Sequence, residues 1–394
     1  MCFRSVQGDP TCQQKPRMVL YGHQGPPQQS QSEHSHDQHS ANIPVNTVYQ
    51  IFQSSEPNSL TMAVVQARWT KIVSAEILQR SSQSVSVIDR QVYIFGGELR
   101  PREPRDNNIH TISLGTPATL STKASTEKSP SPRVGTPSTT LNGNIYLFSG
   151  REGIAMTPVE EHGGMWEFDP GTEKWSLLAP SSPNSTPIPT GRTYHCTAND
   201  GKDTVFIHAG CPEKGRLSDV WAFSVSQKEW TELAPAPDPP RGGTSIAFAR
   251  GRLYRMNGFD GKREQGGSID VYDAGANLWS SHSFVSDGVT GPSPRSVAIL
   301  LPIVVSGRVY LATLFGERDP SSLGHEGAGK MLNDVWVFDI ETKLWTKVEA
   351  QGDEHPDPRG WLDGDILDAG TIVVHGGLGE SNDRLDDVWT LEFF

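Results

Sequence analysis

Residues 314–348 read LFGERDPSSLGHEGAGKMLNDVWVFDIETKLWTKV. The second half is two short strands, DVWVFD and LWTKV, joined by an IETK turn, because β-branched and aromatic residues alternate with polar ones on either side of it. The first half holds the end of another strand, LFG, and then a polar loop carrying Glu317, Asp319 and His325. Strand end, loop, strand and strand therefore follow one another within a single segment, and the unit they form recurs.

Four anchors mark the recurrence from Arg68 onward. A β-rich run ends in small residues at VYIFGG (Gly97), IYLFSG (Gly150), VFIHAG (Gly210), LYRMNG (Gly258), YLATLFG (Gly316) and IVVHGG (Gly377), at spacings of 53, 60, 48, 58 and 61 residues. An arginine opens an earlier strand at Arg80, Arg133, Arg192, Arg241, Arg295 and Arg359. An alternating strand follows near an acid (MWEFD, DVWAFS, SIDVYD, DVWVFD, DDVWTLEF), and then a Trp strand (KWSLLA, EWTELA, LWSSHS, LWTKV). Arg strand, Gly strand, Asp strand and Trp strand make a four-stranded meander, one blade of a propeller, and the spacing is close to the roughly 50-residue period of kelch repeats. The first unit is degenerate: NNIHTISL is a poor third strand, and no Trp follows it before Arg133.

Composition agrees. The chain has 394 residues, with 39 Gly, 29 Pro and 10 Trp, which favours many short strands and tight turns over long helices. A net charge of −12 argues against a general nucleic-acid or anionic-membrane partner, since both need a basic face. Four scattered cysteines (Cys2, Cys12, Cys196, Cys211) form no CxxC pair and no disulfide framework. The opening MCFRSVQGDP lacks an apolar signal core, and the longest apolar run, VAILLPIVV at residues 297–305, is far too short for a membrane span. A soluble cytoplasmic protein is expected, with the nucleus also open. Residues 1–61, including the polar run QGPPQQSQSEHSHDQHSAN, are expected to be a disordered tail, and residues 62–394 the propeller.

The anchors also carry the candidate chemistry. Each Trp and Gly needs only a structural role. The six arginines should ring one mouth of the central channel, bonded to carbonyls and acids of neighbouring blades, or else arranged to recognise an anion. Arg80, Arg192, Arg241, Arg295 and Arg359 are thus candidate substrate-binding residues. Arg151 (LFSGREG) and Arg216 (CPEKGRLSD) stand in loops after second strands, at the face where propellers usually bind ligands. Glu317, Asp319 and His325 offer two carboxylates and an imidazole, a set suited to Fe(II) or Mn(II). On residue types alone, a Gly-rich connector with incidental polar residues is the more ordinary reading of that loop.

Beyond the kelch family at large, YIFGGELRP (93–101), LFSGRE (147–152), GRTYH (191–195), PRGG (240–243), FGERDPSSLGHEGAG (315–329), IETKLW (340–345), PRGW (358–361) and HGGLGESNDRLDDVW (375–389) resemble the plant glucosinolate specifier proteins. That resemblance implies a six-bladed kelch propeller with an Fe(II) site in one loop. It also implies action on the unstable aglycone that myrosinase releases from a glucosinolate, diverted to nitrile, epithionitrile or thiocyanate. The family's iron ligands follow Glu-x3-Asp-x3-His. Glu317 and His325 match the ends, Ser321 fills the middle, and Asp319 is a possible substitute carboxylate. Arg151 falls on an arginine implied to hold the substrate's sulfate, and Arg216 fits a second such position. Arg151 and Arg216 are accordingly the candidate catalytic residues of a lyase or rearrangement enzyme for a small anionic metabolite. The alternatives are a kelch interaction module binding a partner protein at its loop face, and a propeller repurposed for another small molecule.

Counting strands predicts the closure. The sixth unit ends at Phe394 after its third strand, and an orphan Trp strand, ARWTKIVSA around Trp69, precedes the first unit. Their pairing would complete blade six and remove an open sheet edge. Deleting residues 1–61 is therefore expected to leave the thermal melt unchanged, and deleting residues 1–75 to abolish cooperative unfolding; coincident melts would refute the closure.

Overall fold

The structure, a computed structural model, describes residues 65–182 and 187–394; the expected tail lies outside the described residues. Six antiparallel sheets of four strands in line follow one another around an axis, the first carrying in addition the two-residue strand Glu103–Pro104. Blade 5 contains the segment that decided the reading: Ile299–Val305, Arg308–Leu314, Val335–Asp339 and Leu344–Lys347 pair in that order. Its Trp345 packs tilted against Phe338 with centroids 5.1 Å apart, as Trp230 does against Phe223 at 4.8 Å in blade 3. The six-bladed, all-β architecture is the one expected.

Blade 1 is less degenerate than its sequence. Ile109–Ser113 forms a regular third strand and Thr119–Lys123 a fourth without tryptophan. The neighbouring strand Gln91–Arg100 supplies the complementary backbone ladder, so weak propensity is overridden by tertiary pairing.

Blade 6 closes as predicted. Ala67–Ser74 pairs antiparallel with Asp387–Phe393, placing Trp69 opposite Leu391. Trp69 is buried against Phe315 of blade 5 and Trp389 of its own blade, with ring centroids at 5.7 and 6.4 Å. The strand's outer edge is partly covered: Trp69 N–H donates to Gln351 O and Gln351 N–H to Ala67 O, both at 2.8 Å.

Two rings of backbone hydrogen bonds lock the blades together. In one, the last glycine of each Gly strand donates to the carbonyl of the next blade's anchor arginine. The bonds run from Gly97 to Arg133, Gly150 to Arg192, Gly210 to Arg241, Gly258 to Arg295, Gly316 to Arg359, and finally Gly377 to Arg80, at 2.8–3.0 Å. The second ring uses the residues two places after each arginine. Gly135 donates to Ser82, Tyr194 to Gly135, Gly243 to Tyr194, Val297 to Gly243, Trp361 to Val297 and Ser82 to Trp361. All six have φ between 47° and 63°, so Val297, a β-branched residue, is held in a conformation that costs about 1–3 kcal/mol.

Apolar clusters fill the spaces between blades; Phe148, Val205, Ile207, Trp221 and Trp230, for instance, join blades 2 and 3. No helix among the described residues is long and apolar enough to cross a membrane.

The seam between blades 6 and 1 carries carboxyls. Asp363 and Asp365 accept the Val85 and Val87 N–H groups at 2.7 and 2.9 Å. Burial pushes Asp363 up to about 8, Asp365 adding to it, and burial pushes Asp365 up to about 6. The folded chain thus binds more protons than the unfolded one between about pH 4 and about pH 8, so this seam loses stability as pH rises through that window. Asp363→Asn is expected to melt higher than the wild type at pH 8 and to flatten the pH dependence of the melting temperature, measured by differential scanning calorimetry.

Candidate functional site

The anchor arginines are not free at a channel mouth. Arg80, Arg133, Arg192, Arg295 and Arg359 are essentially fully buried and Arg241 nearly so. Each guanidinium donates to a carbonyl of its own blade's Gly strand, as Arg192 does to Ala209 O at 3.2 Å and Arg359 to Gly376 O at 3.1 Å. Most also grip an acid: Arg192 grips Asp219 through two bonds of 2.6 and 2.9 Å, Arg295 grips Asp334 at 2.6 and 2.8 Å, and Arg359 grips Asp387 at 2.5 and 3.1 Å. These acids belong to the same blade, not to neighbours, because the acid sits at the entry to the third strand, level with the arginine's reach. A third-strand tryptophan completes the clamp: Trp221, Trp336 and Trp389 each donate their indole N–H to the same carboxylate at 2.7–2.8 Å. Blade 1 repeats it with His110 in the tryptophan's place beside Arg80 and Asp106. Blade 4 lacks the acid; Arg241 bonds the Asn257 and Pro239 carbonyls, and Arg255 pairs with Asp270 at 3.0 Å.

The loops that follow the second strands surround a cavity of about 180 Å³ on one face of the propeller. Its floor consists of four members of the second backbone ring, Tyr194, Gly243, Val297 and Trp361; Arg216, Glu264, Glu317 and Ser321 stand around it. Arg216 lies over the Phe259 ring at 5.0 Å. Arg151 begins a small hairpin (Arg151–Glu152 with Thr157–Pro158) and donates to Pro212 O at 2.9 Å. Cys211 lines the cavity with Arg216 and precedes Pro212, which Arg151 bonds; burial pushes its thiol up while both guanidiniums pull it down. Neither arginine has a carboxylate partner among the described residues, unlike the clamps.

Glu317 is buried, bridged through its backbone to Ser296, and its Oε1 accepts the Gly329 N–H at 2.7 Å. A Cβ at residue 329 would meet that same oxygen, so glycine is required there. Burial raises the Glu317 carboxyl, while Gly329 N–H and the Trp361 indole stabilise its charge. Facing it from blade 4, Glu264 is pushed up to about 7 by burial, with Glu317 and Asp319 adding repulsion.

Of the proposed metal ligands whose side chains are described, Glu317 lines the cavity, together with Ser321, and Asp319 does not. The Asp319 side chain is 77% exposed and lies 3.7 Å from Arg318 Nε. His325 lies in the short 3-10 turn Gly324–Glu326, and its side chain is outside the described residues. The described side chains thus supply one buried carboxylate, already accepting an amide N–H, and a neutral hydroxyl. Among the described residues no group of three or more His, Cys, Asp or Glu is placed to hold a metal.

Tyr194, Cys211, Glu264 and Trp361 were not singled out from the sequence. Tyr194 and Trp361 had a signal: aligning the repeats on their arginines puts Ser, Gly, Tyr, Gly, Val and Trp at the second following position, and two large aromatics stand out. Glu264, in FDGKREQGG, had none.

Comparison with known proteins agrees with the fold. A plant protein of Thlaspi arvense, N-(sulfonatooxy)prop-2-enimidothioate sulfolyase, is 26% identical over 341 residues, covering 79% of this chain and 91% of that protein. Human host cell factor 2 is 27% identical over 231 residues, 53% of this chain and 26% of its own length. The solved structure of YjhT shares the fold, with a TM-score of 0.61 over 80% of this chain and 95% of that one, at 15% identity. Residues 82–316 match the family described as the KLHDC2/KLHL20/DRC7 Kelch-repeats domain. With six Arg–Gly units closed into one ring and a family match over more than half its length, the chain belongs to the kelch-repeat family.

Proposed function

We propose that the chain is a lyase for a small sulfated thiohydroximate-type anion, bound at the loop-face cavity. The observation that carries this reading is the pair Arg151 and Arg216. Among the described residues neither half-buried guanidinium has a carboxylate partner: Arg216 lines the aromatic-floored cavity with Cys211, and Arg151 bonds the Pro212 carbonyl next to that cysteine, in a protein of net charge −12. Unneutralised guanidinium in such a place favours an oxyanion, whose oxygens match its planar donors. The similarity to the Thlaspi arvense sulfolyase supports a sulfate leaving group.

The chemistry is a fragmentation. In R–C(S⁻)=N–OSO3⁻ the N–O bond breaks and sulfate departs with the bonding pair. The carbon–sulfur bonding pair goes to the new nitrile, and sulfur is released as S⁰. Arg151 and Arg216 hold the charge that grows on the departing sulfate. Tyr194, Phe259 and Trp361 wall the organic side chain away from water. Fe(II) is a separate element of the reading, tested by metal content rather than built into these steps.

A second reading, docking of a partner protein, is favoured by Ile154 and Leu323. They are 85% and 70% exposed and occupy loops of this same face.

Adding the protein to a glucosinolate–myrosinase mixture is expected to shift product from isothiocyanate toward nitrile or thiocyanate. Arg151→Ala or Arg216→Ala should each lower that shift by about one to two orders of magnitude, the loss of one charge-assisted contact, with an unchanged melt. An unaltered product ratio with wild-type protein would remove the lyase reading. Metal analysis of the wild type, Glu317→Ala and His325→Ala decides the iron question: Fe(II) lost in both variants supports a loop site, and none in the wild type rejects it.

A further inference from the structure

Two cavities lie in line along the propeller axis. The loop-face cavity of about 180 Å³ is followed by an axial channel of about 440 Å³. All six residues of the second backbone ring border the channel, and four of them also floor the loop-face cavity. The ring is therefore the partition between the two spaces.

Its side chains decide whether the partition is open. Glycine at 135 and 243 leaves the axis unfilled there. The Tyr194 ring uses the first gap, lying 2.8 Å from where a Cβ on residue 135 would stand. Trp361 meets it across the axis edge to face, with centroids 5.0 Å apart and planes at 80°. Both aromatics are tethered: Tyr194 to the Ser82 side chain, and the Trp361 indole to the Glu317 carboxylate. Below this pair the channel is two-sided. Ala247, Phe248, Leu301 and Pro302 form an apolar wall, and Thr197, Asn199 and Asp363 a polar one.

We propose that the Tyr194–Trp361 pair is a plug that sets the maximum length of the ligand's side chain, and that the channel beneath it is a second compartment able to take a longer apolar tail once the plug is removed. With the anionic head at Arg151 and Arg216, the tail points inward to the floor. Its first carbons are buried by Val297 and Phe259, and the next ones meet the aromatic pair. This rests on the loop-face cavity being an anion-headed small-molecule site, as proposed above.

The test uses n-alkyl sulfates (ethyl, butyl, hexyl, octyl) titrated calorimetrically into the full chain. In the wild type, affinity is expected to rise about fourfold for each methylene buried, then stop when the tail reaches the plug. Trp361→Ala and, independently, Tyr194→Ala should keep gaining beyond that length, on the order of tenfold for the two carbons between hexyl and octyl. Trp361→Phe, which keeps a ring in place, should retain the wild-type limit. If short sulfates bind but the limit is the same in wild type and both alanine variants, the plug is refuted while the anion site stands. If no alkyl sulfate binds the wild type, the anion site and the plug fall together. Should both alanine variants unfold, a crystal of the wild type with octyl sulfate still decides: a tail turned along the loop face supports the plug, and a tail in the channel beside an undisplaced Trp361 overturns it.

Discussion

Everything in this molecule depends on a closed circle of six backbone hydrogen bonds around its axis, from Ser82 through Gly135, Tyr194, Gly243 and Val297 to Trp361 and back. A ring without an end pairs the amide and the carbonyl of each of its six members. It requires a left-handed backbone at every member, and the chain accepts that at Ser82, Tyr194, Val297 and Trp361 as well as at two glycines. Trp69 and its strand complete blade 6 at the seam where Ala67–Ser74 pairs with Asp387–Phe393. Sheet edge, axial ring and N-terminal strand are thus one constraint.

The buried arginines serve this constraint. A guanidinium at the head of each inner strand binds its own Gly-strand carbonyl and, in most blades, an acid that also accepts a tryptophan N–H. Burial alone would raise the Asp387 carboxyl; Arg359 overrides it and holds Asp387 below the usual carboxylate range, as Arg295 does for Asp334. Such a pair is costly to break by removing one partner, because the other is left charged and buried. Guanidiniums tied in this way spend most of their donors inside their own blades. Arg151 and Arg216, which lie outside the clamps, are the guanidiniums that keep donor capacity near the cavity.

The repeat was legible in the chain because its residues act locally. A glycine before a tight exit, an acid two residues before a tryptophan, and an alternating strand each follow from backbone geometry within a few positions. The candidate site was legible only in part. Arg151, Arg216, Glu317 and Ser321 were visible as loop residues, and the fold brings Arg216, Glu317 and Ser321 to one cavity. Asp319 was not predictable as a surface group, since a two-residue offset in a loop decides whether a carboxylate faces the cavity or the solvent. Glu264 comes from another blade, so its closeness to Glu317 appears only after the ring has closed.

Sequence by itself determined the number of blades, the order of strands within them and the identity of the strand that closes them, because each is written in short-range patterns repeated six times. Tertiary structure alone decided which arginines are occupied and which are available. It also decided that Tyr194 and Trp361, far apart in the chain, meet across the axis between two cavities. The physical reason is the same in each case. A hydrogen-bond donor or an aromatic face is defined by what stands opposite it, and around a closed ring the opposing group comes from another blade or from a point on its own blade that the loops conceal.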